Sequence, residues 1–251
     1  MNTVVFWCAA GLGLSSLLGS AVGLLFKTIP HKWNDIFLGF CAGMMLTAAL
    51  VCLILPGFEA VEGFDVWQVV AGVVAGVFLI GFLDFFTPHL HNLSGIEPES
   101  HHGATSVDKV LLFVMAIAIH KLPEGIATGI ALDETNAGNS IAITLAIALQ
   151  NIPEGMVVVT PLIVLGVKFL RVLLIALTVA ALEIFGVFLG FFLGNISELL
   201  LPAMLGLAGG AMLYVISDEM IPETHSHGFQ KESTYALVAG VVMMLIIQKF
   251  V

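Results

Sequence analysis

Eight runs of mostly apolar residues constrain this chain more than any other feature of its sequence. A helix needs about 20 such residues to cross the hydrocarbon core of a bilayer. The chain is 59% hydrophobic and 10% charged, whereas soluble domains are about half apolar and a quarter charged. We therefore predict an all-α integral membrane protein, folded as a single domain over residues 1–251. The eight predicted transmembrane helices lie at about residues 3–26, 34–58, 66–86, 108–131, 140–163, 171–195, 199–222 and 233–250.

The basic residues predict how the chain lies in the membrane. Six of the eight fall in the first, third, fifth and seventh loops or directly at their ends, and the second, fourth and sixth loops contain none. Cytoplasmic loops carry an excess of lysine and arginine, so we expect the odd-numbered loops in the cytoplasm and both termini outside it. We expect the membrane to be the plasma membrane, which in bacteria is the inner one. The formal net charge of −10 argues against a nucleic-acid partner, because phosphate binding requires a basic surface.

Histidines are concentrated on the predicted cytoplasmic side. The longest loop, residues 87–107, holds four of them, and His225 and His227 lie in the last cytoplasmic loop. Such tracts are only compositional signals of metal binding. The long loop is therefore interpreted either as a flexible linker or as part of a metal-handling surface. Its histidines are His89, His91, His101 and His102.

One short sequence occurs twice. Residues 116–125 read AIAIHKLPEG, and residues 146–155 read AIALQNIPEG. Because consecutive membrane spans run antiparallel, the two copies are predicted to point in opposite directions across the bilayer. Inverted repeats whose broken helices meet at the membrane centre are typical of transporter binding sites.

Each copy places two polar side chains on one helix face. His120 and Glu124 are four residues apart, as are Gln150 and Glu154, and this spacing brings side chains together one turn apart. A proline inside each pair cannot donate the backbone hydrogen bond of a regular helix. Broken backbone is tolerated in lipid only where it is buried or lines a cavity. We therefore predict that helices four and five are kinked, at Pro123 and Pro153, around a site at the membrane midplane.

A third carboxylate, that of Glu183, lies at a similar depth in the sixth span. Charged side chains at the bilayer centre are costly and usually functional. Three glutamates there must be protonated, paired or bound to a cation, and a divalent metal satisfies this requirement. Imidazole and carboxylate suit zinc and its neighbours. A lone histidine in a membrane is more often a helix-packing residue, and Met45 is either a packing residue or a soft metal contact.

With these residues, the chain resembles the ZIP (Zrt-, Irt-like protein) family of divalent metal transporters, near its bacterial GufA-like branch. The resemblance rests on HxxPEG at residues 120–125 and QNxPEG at residues 150–155, and it covers essentially the whole chain. It implies an inverted-repeat bundle and a homodimer. It also implies an elevator-like movement of spans one, four, five and six against the other four.

The resemblance implies roles for individual residues. The residues implied to hold the transported ion are His120, Glu124, Gln150 and Glu154, with Met45 able to approach. Asn151 and Glu183 match positions that form a second, adjacent metal site in members with two metals, and Glu59 matches an acidic residue of the entrance. Asp218 stands where we expect histidine in close relatives. The residues of the expected cytoplasmic exit are Asp84, His89, His91, Asp218, Glu219, Glu223, His225 and His227.

Lys121 departs from the pattern, because members with two metals usually have asparagine directly after the motif histidine. In one hypothesis, its ammonium pairs with Glu183 or Glu154 and takes the place of the second metal, which leaves a site for one ion. In the other, Lys121 turns away or loses its proton when desolvated, and the second metal is retained.

These residues predict uptake of Zn²⁺ into the cytoplasm, with Cd²⁺, Fe²⁺ and Mn²⁺ as further candidate cargoes. Two other hypotheses stay open: a passive metal-selective channel, and an intramembrane zinc metallohydrolase in which a glutamate activates metal-bound water. The sequence contains no HExxH motif, and inverted repeats favour a path through the membrane over a cleft for a peptide. We therefore expect a transporter rather than an enzyme.

Overall fold

The computed structural model describes residues 3–26, 30–85, 121–132, 137–164, 166–194 and 199–250. Within these ranges the regular structure is helical throughout. The first five helices are α1 (Thr3–Phe26), α2 (His31–Thr47), α3 (Leu55–Glu59), α4 (Val66–Phe85) and α5 (121–131). The next five are α6 (Ala137–Val164), α7 (Phe169–Gly194), α8 (Leu201–Val215), α9 (Ile221–Thr224) and α10 (Gln230–Phe250).

Most of the predicted spans are recovered as long apolar helices. Among the described residues, six stretches are long and apolar enough, by length and composition, to cross a membrane. They are Thr3–Leu25, His31–Glu59, Gly63–Phe82, Phe169–Gly194, Leu201–Thr224 and Gln230–Phe250. The predicted fifth span lies within α6, and the fourth is helical over residues 121–131, with 108–120 outside the described residues. The prediction of an all-α membrane protein is confirmed.

The long helices pack in pairs that form two groups. α4 packs along α8, α2 along α10, and α1 along both α6 and α7, while α5 packs against α7 at Gly125 and Gly186. We call α1, α5, α6 and α7 the α1 group, and α2, α4, α8 and α10 the α2 group. α2 and α6 contact each other across the boundary between the groups, and Ala127 and Ile130 of α5 are buried in the same apolar cluster as residues of α2 and α8. The two groups are the same two sets of spans that the resemblance expects to move against each other.

The core of the α2 group is apolar and closely packed. Met44, Met212 and Met244 are buried in it together with many small residues. Glycines lie where its helices meet, including Gly76 at the contact of α4 with α8 and Gly240 at the contact of α10 with α2. Small residues at such contacts let membrane helices approach closely.

Two helices of the α2 group contain a widened, π-helical segment. α2 continues through Ala48–Ile54 into α3, and α8 continues through Ile216–Met220 into α9. Each segment is followed by a helix whose second residue is proline, Pro56 or Pro222. Because a proline has no N–H to donate, it disrupts the regular bonding of the preceding turn. The same feature in α2 and α8 is consistent with an inverted repeat.

The repeated motif instead predicts helix breaks at its own prolines, Pro123 and Pro153. α6 is helical on both sides of Pro153 from Ala137 to Val164. α5 is helical from residue 121 through Pro123. Kinks in these two helices therefore stay a prediction.

Candidate functional site

Five polar side chains of α5 and α6 meet in the interior of the bundle. They are Lys121, Glu124, Gln150, Asn151 and Glu154, and none is more than 9% exposed. All five come from the two copies of the repeated sequence, which hydrogen bonds join directly. We call these five residues the lysine cluster.

The ammonium group of Lys121 is the centre of the lysine cluster. Its Nζ donates to Glu124 Oε2 over 2.6 Å, to Asn151 Oδ1 over 2.7 Å and to Glu154 Oε2 over 2.7 Å. A lysine ammonium has three N–H donors, so each donor has an acceptor. Because Lys121 itself is 2% exposed, these contacts replace the water that an ammonium ordinarily requires.

The two copies of the repeat are also joined without the lysine. Gln150 Nε2 donates to Glu124 Oε1 over 3.2 Å, so both oxygens of the Glu124 carboxylate have partners. Three of the four residues implied to hold the transported ion are therefore close together. The fourth, His120, lies outside the described residues.

Glu183 of α7 is connected to the lysine cluster through Asn151. Its Oε1 accepts from Asn151 Nδ2 over 2.5 Å, and its Oε2 accepts from Ser16 Oγ of α1 over 2.5 Å. Asn151 Nδ2 also lies 3.3 Å from Ser15 Oγ. Glu154 and Glu183 were the two partners expected for Lys121. The Lys121 ammonium contacts Glu154 directly, whereas the Asn151 amide lies between the ammonium and Glu183.

Ser15 and Ser16 are site residues that the sequence analysis missed. They lie in the apolar run of α1, where serine is an ordinary small residue of helix contacts. Their position in GLGLSSLLGS gives no spacing relative to the repeated motif. Only the packing of α1 against α6 and α7 brings their hydroxyl groups to Asn151 and Glu183.

The glycine that ends each PEG motif brings the neighbouring helix close. A Cβ on Gly125 would lie 2.2 Å from the Glu183 carbonyl oxygen of α7, and one on Gly155 would lie 2.8 Å from the Ser16 carbonyl oxygen of α1. No side chain larger than hydrogen fits at such distances from backbone. The two glycines therefore position the helices that supply Glu183 and Ser16 to the site.

Replacing Gly125 by valine is expected to destabilise the protein by about 1–3 kcal/mol, because the new side chain would push α7 away from α5. The matched control is Gly11→Val in α1, where nothing lies within 4 Å of the added Cβ. Thermal unfolding in detergent measures both variants. Equal unfolding temperatures for the two would contradict the role given to Gly125.

Met45 lies on α2, the helix that contacts α6 from the other group. It is 2% exposed and one turn after Cys41, whose Sγ lies 3.4 Å from the Gln150 carbonyl oxygen. This placement puts Met45 on the side of α2 that faces the lysine cluster, since residues four apart share a helix face.

A second buried charge lies at the other end of α2. Asp35 is fully buried, its Oδ1 is 3.0 Å from His227 Nδ1, and the His227 ring stacks on that of His31 with ring centroids 4.4 Å apart. The sequence analysis did not single out Asp35, because its partner is remote in sequence. This contact joins the start of α2 to the loop between α9 and α10.

The other predicted residues lie in the helices of the α2 group and the segments that continue them, or outside the described residues. Glu59 is exposed at the end of α3, and Asp84 lies near the end of α4. Asp218 and Glu219 lie in the π-helical segment after α8, and Glu223 lies in α9, shortly before His225. His89, His91 and the whole loop 87–107 lie outside the described residues.

In the part of the chain that the structure describes, no three side chains of His, Cys, Asp or Glu are arranged so that they could hold a metal ion. The space between the Glu124 and Glu154 carboxylates contains the Lys121 ammonium instead. The assignment of metal ligands therefore stays a prediction.

The chain matches one family model and several known proteins, all of which are named for zinc transport. The family model described as "ZIP Zinc transporter" matches residues 87–248. "Zinc transporter ZIPB" of Bordetella bronchiseptica is 38% identical over 255 aligned residues, which cover 94% of this chain and 77% of that protein. "Zinc transporter GufA" of Myxococcus xanthus is 36% identical, with 95% and 97% covered. "Zinc transporter ZupT" of Chlorobium chlorochromatii is 32% identical, with 93% and 92% covered.

Proposed function

We propose that this chain, which belongs to the ZIP zinc transporter family, carries zinc across the plasma membrane into the cytoplasm. The cargo is inferred from the relatives, which are named zinc transporters. The observation that carries the proposal is the lysine cluster, in which two buried carboxylates and two amides from both repeats face one another. Carboxylates inside a membrane protein are costly, and they usually mark the path of an ion.

We propose that His120, Glu124, Gln150 and Glu154 hold the transported ion, with Met45 approaching from α2. The chemistry supports this set, since imidazole and carboxylate are ordinary zinc ligands. The short distance between Glu124 and Gln150 supports it too, because an ion bound beside the Glu124 carboxylate would find the acceptor oxygen of the Gln150 amide close by. Cd²⁺, Fe²⁺ and Mn²⁺ are proposed as further cargoes of the same ligands.

The second metal of two-metal relatives is proposed to be absent here, with Lys121 in its place. Support comes from the contact of Nζ with Asn151, one of the positions that the resemblance assigns to the second site. Glu183, the other such position, has both of its oxygens engaged by Asn151 and Ser16. A lysine that turned away from the site would not make these contacts.

The proposed path begins at Glu59 and ends at the cytoplasmic exit. Movement of the α1 group against the α2 group would expose the site first to one side and then to the other. The division of the described helices into two groups supports this elevator-like mechanism. A homodimer and outward-facing termini are part of the same proposal.

The family model and the relatives are named for zinc transport rather than catalysis, which argues against the metallohydrolase hypothesis. The channel hypothesis differs from a carrier in its kinetics. Purified protein in liposomes is expected to take up radioactive zinc with saturation and a strong temperature dependence. Uptake that stays linear in zinc concentration would favour the channel, and no uptake at all would contradict transport.

The same assay ranks the proposed cargoes. Unlabelled Cd²⁺, Fe²⁺ and Mn²⁺ are each added at increasing concentration, together with Mg²⁺ as a control. Competition by the three transition metals but not by Mg²⁺ is expected, because Mg²⁺ prefers oxygen ligands and is reluctant to lose its water. Competition by Mg²⁺ as strong as that by Cd²⁺ would contradict an imidazole-containing site.

A further inference from the structure

We propose that Lys121 acts as a tethered counter-ion that allows the empty carrier to return across the membrane after it has released its ion. The inference rests on the proposed function, because it concerns the half of a transport cycle in which no metal is bound. It goes beyond the number of metals at the site, because it states in which step of the transport cycle the charge of Lys121 is needed.

The contacts of the lysine are those of a substitute for a bound ion. Its Nζ lies within 2.7 Å of acceptors on Glu124, Asn151 and Glu154. These acceptors come from both copies of the repeat, as the ligands of a cation between α5 and α6 would. Because all three donors of the ammonium are used, the group needs no water to be stable where it is.

The lysine also belongs to the helices that would move. Lys121 lies on α5 and its acceptors lie on α5 and α6, which are both in the α1 group. When this group moves, the ammonium travels with the carboxylates that it neutralises. A counter-ion on α2 or α8 would be left behind.

The charges of the site explain why the return step needs this group. A transported ion neutralises Glu124 and Glu154 on the way in, but after its release two facing carboxylates remain in a buried site. Buried charges are tolerated only when they are paired and hydrogen-bonded. The Lys121 ammonium, bonded to both carboxylates, supplies that pairing in the absence of metal. A carrier without it would move readily when loaded and slowly when empty.

Two transport assays separate these steps. Net uptake of radioactive zinc into liposomes that contain no zinc requires the empty carrier to return after every ion. Exchange of external radioactive zinc for zinc already inside the liposomes requires only the loaded carrier to move. The variant is Lys121→Met, which keeps an unbranched side chain of similar length and removes its charge. The matched control is Lys168→Met, at an exposed lysine in the loop between α6 and α7.

In Lys121→Met we expect net uptake to fall about tenfold more than exchange, the effect of roughly 1.4 kcal/mol on the return step. The Lys168→Met control should keep the wild-type ratio of the two rates. An equal loss of net uptake and exchange would overturn the proposal, because a purely structural or ligand-positioning lysine affects both. An unchanged ratio with full activity would overturn it as well.

The wild-type protein provides a test that does not depend on whether the variant folds. With the lysine present, zinc inside the liposomes should stimulate uptake by no more than about twofold, because the empty carrier already returns quickly. Stimulation of about tenfold or more in the wild type would contradict the proposal even if Lys121→Met is not produced. A wild-type protein that neither takes up nor exchanges zinc would instead contradict the proposed function.

Discussion

Glu154→Ala is expected to lower zinc uptake into liposomes by about a hundredfold or more, since losing a charged partner in a buried site costs about 2–5 kcal/mol. Glu154 combines a ligand-type side chain with near-complete burial and a direct contact to the Lys121 ammonium. Initial rates with radioactive zinc measure the loss. The chain should still insert and purify, because the Lys121 ammonium keeps Glu124 and Asn151 as acceptors.

The matched control for Glu154→Ala is Glu232→Ala. Glu232 is a partly exposed carboxylate at the start of α10, paired with Lys32 over 3.3 Å, and exposed pairs contribute little. Uptake by this control should equal that of the wild type. Wild-type uptake in Glu154→Ala would remove Glu154 from the transport site. His120→Ala is expected to behave like Glu154→Ala, and retained uptake would likewise exclude His120.

Lys121→Met is expected to lower the stability of the zinc-free protein by about 3–5 kcal/mol, because it leaves the partners of a buried ion pair uncompensated. Saturating zinc should restore much of this loss, since a ligand stabilises the folded state that binds it. Thermal unfolding in detergent, with and without zinc, measures both effects. The Lys168→Met control should show neither.

Two results would contradict this role of Lys121. If Lys121→Met unfolds at the wild-type temperature without zinc, the ammonium does not neutralise Glu124 and Glu154. If the variant is destabilised but zinc does not raise its unfolding temperature more than that of the wild type, ammonium and metal do not share the same acceptors.

The sequence was sufficient to predict the spans and part of the site. Apolar runs of membrane length predict transmembrane helices directly, because a chain segment in lipid must satisfy all its backbone hydrogen bonds internally. The repeated PEG motif identified Glu124, Gln150 and Glu154, since local spacing places them on matching faces of α5 and α6. Their mutual contacts follow from the packing of those two helices.

The remaining features depend on contacts between residues that are far apart in the chain. Ser16 reaches Glu183 across 167 positions, and Asp35 meets His227 across 192. Neither pair has a spacing that a local pattern could reveal. Which partners Lys121 would take was also open, because an ammonium on a flexible chain can reach several acceptors.

The π-helical segments before Pro56 and Pro222 were missed for a different reason. Polar residues next to a proline predict a helix break in the repeated motif, and no polar residue marks Pro56 in the same way. A proline in an apolar stretch such as LILPGFE indicates a disturbed turn. It does not indicate whether the turn widens or the helix ends.

The central claim is that one ion, held between the two repeats, shares its acceptors with the Lys121 ammonium. Anomalous diffraction at the zinc absorption edge, from crystals grown with zinc, tests it most directly. The account predicts a single zinc peak between α5 and α6, in contact with Glu124 and Glu154, with the ammonium displaced from at least one of these carboxylates. Two adjacent zinc peaks there, or no peak between the two carboxylates, would contradict it.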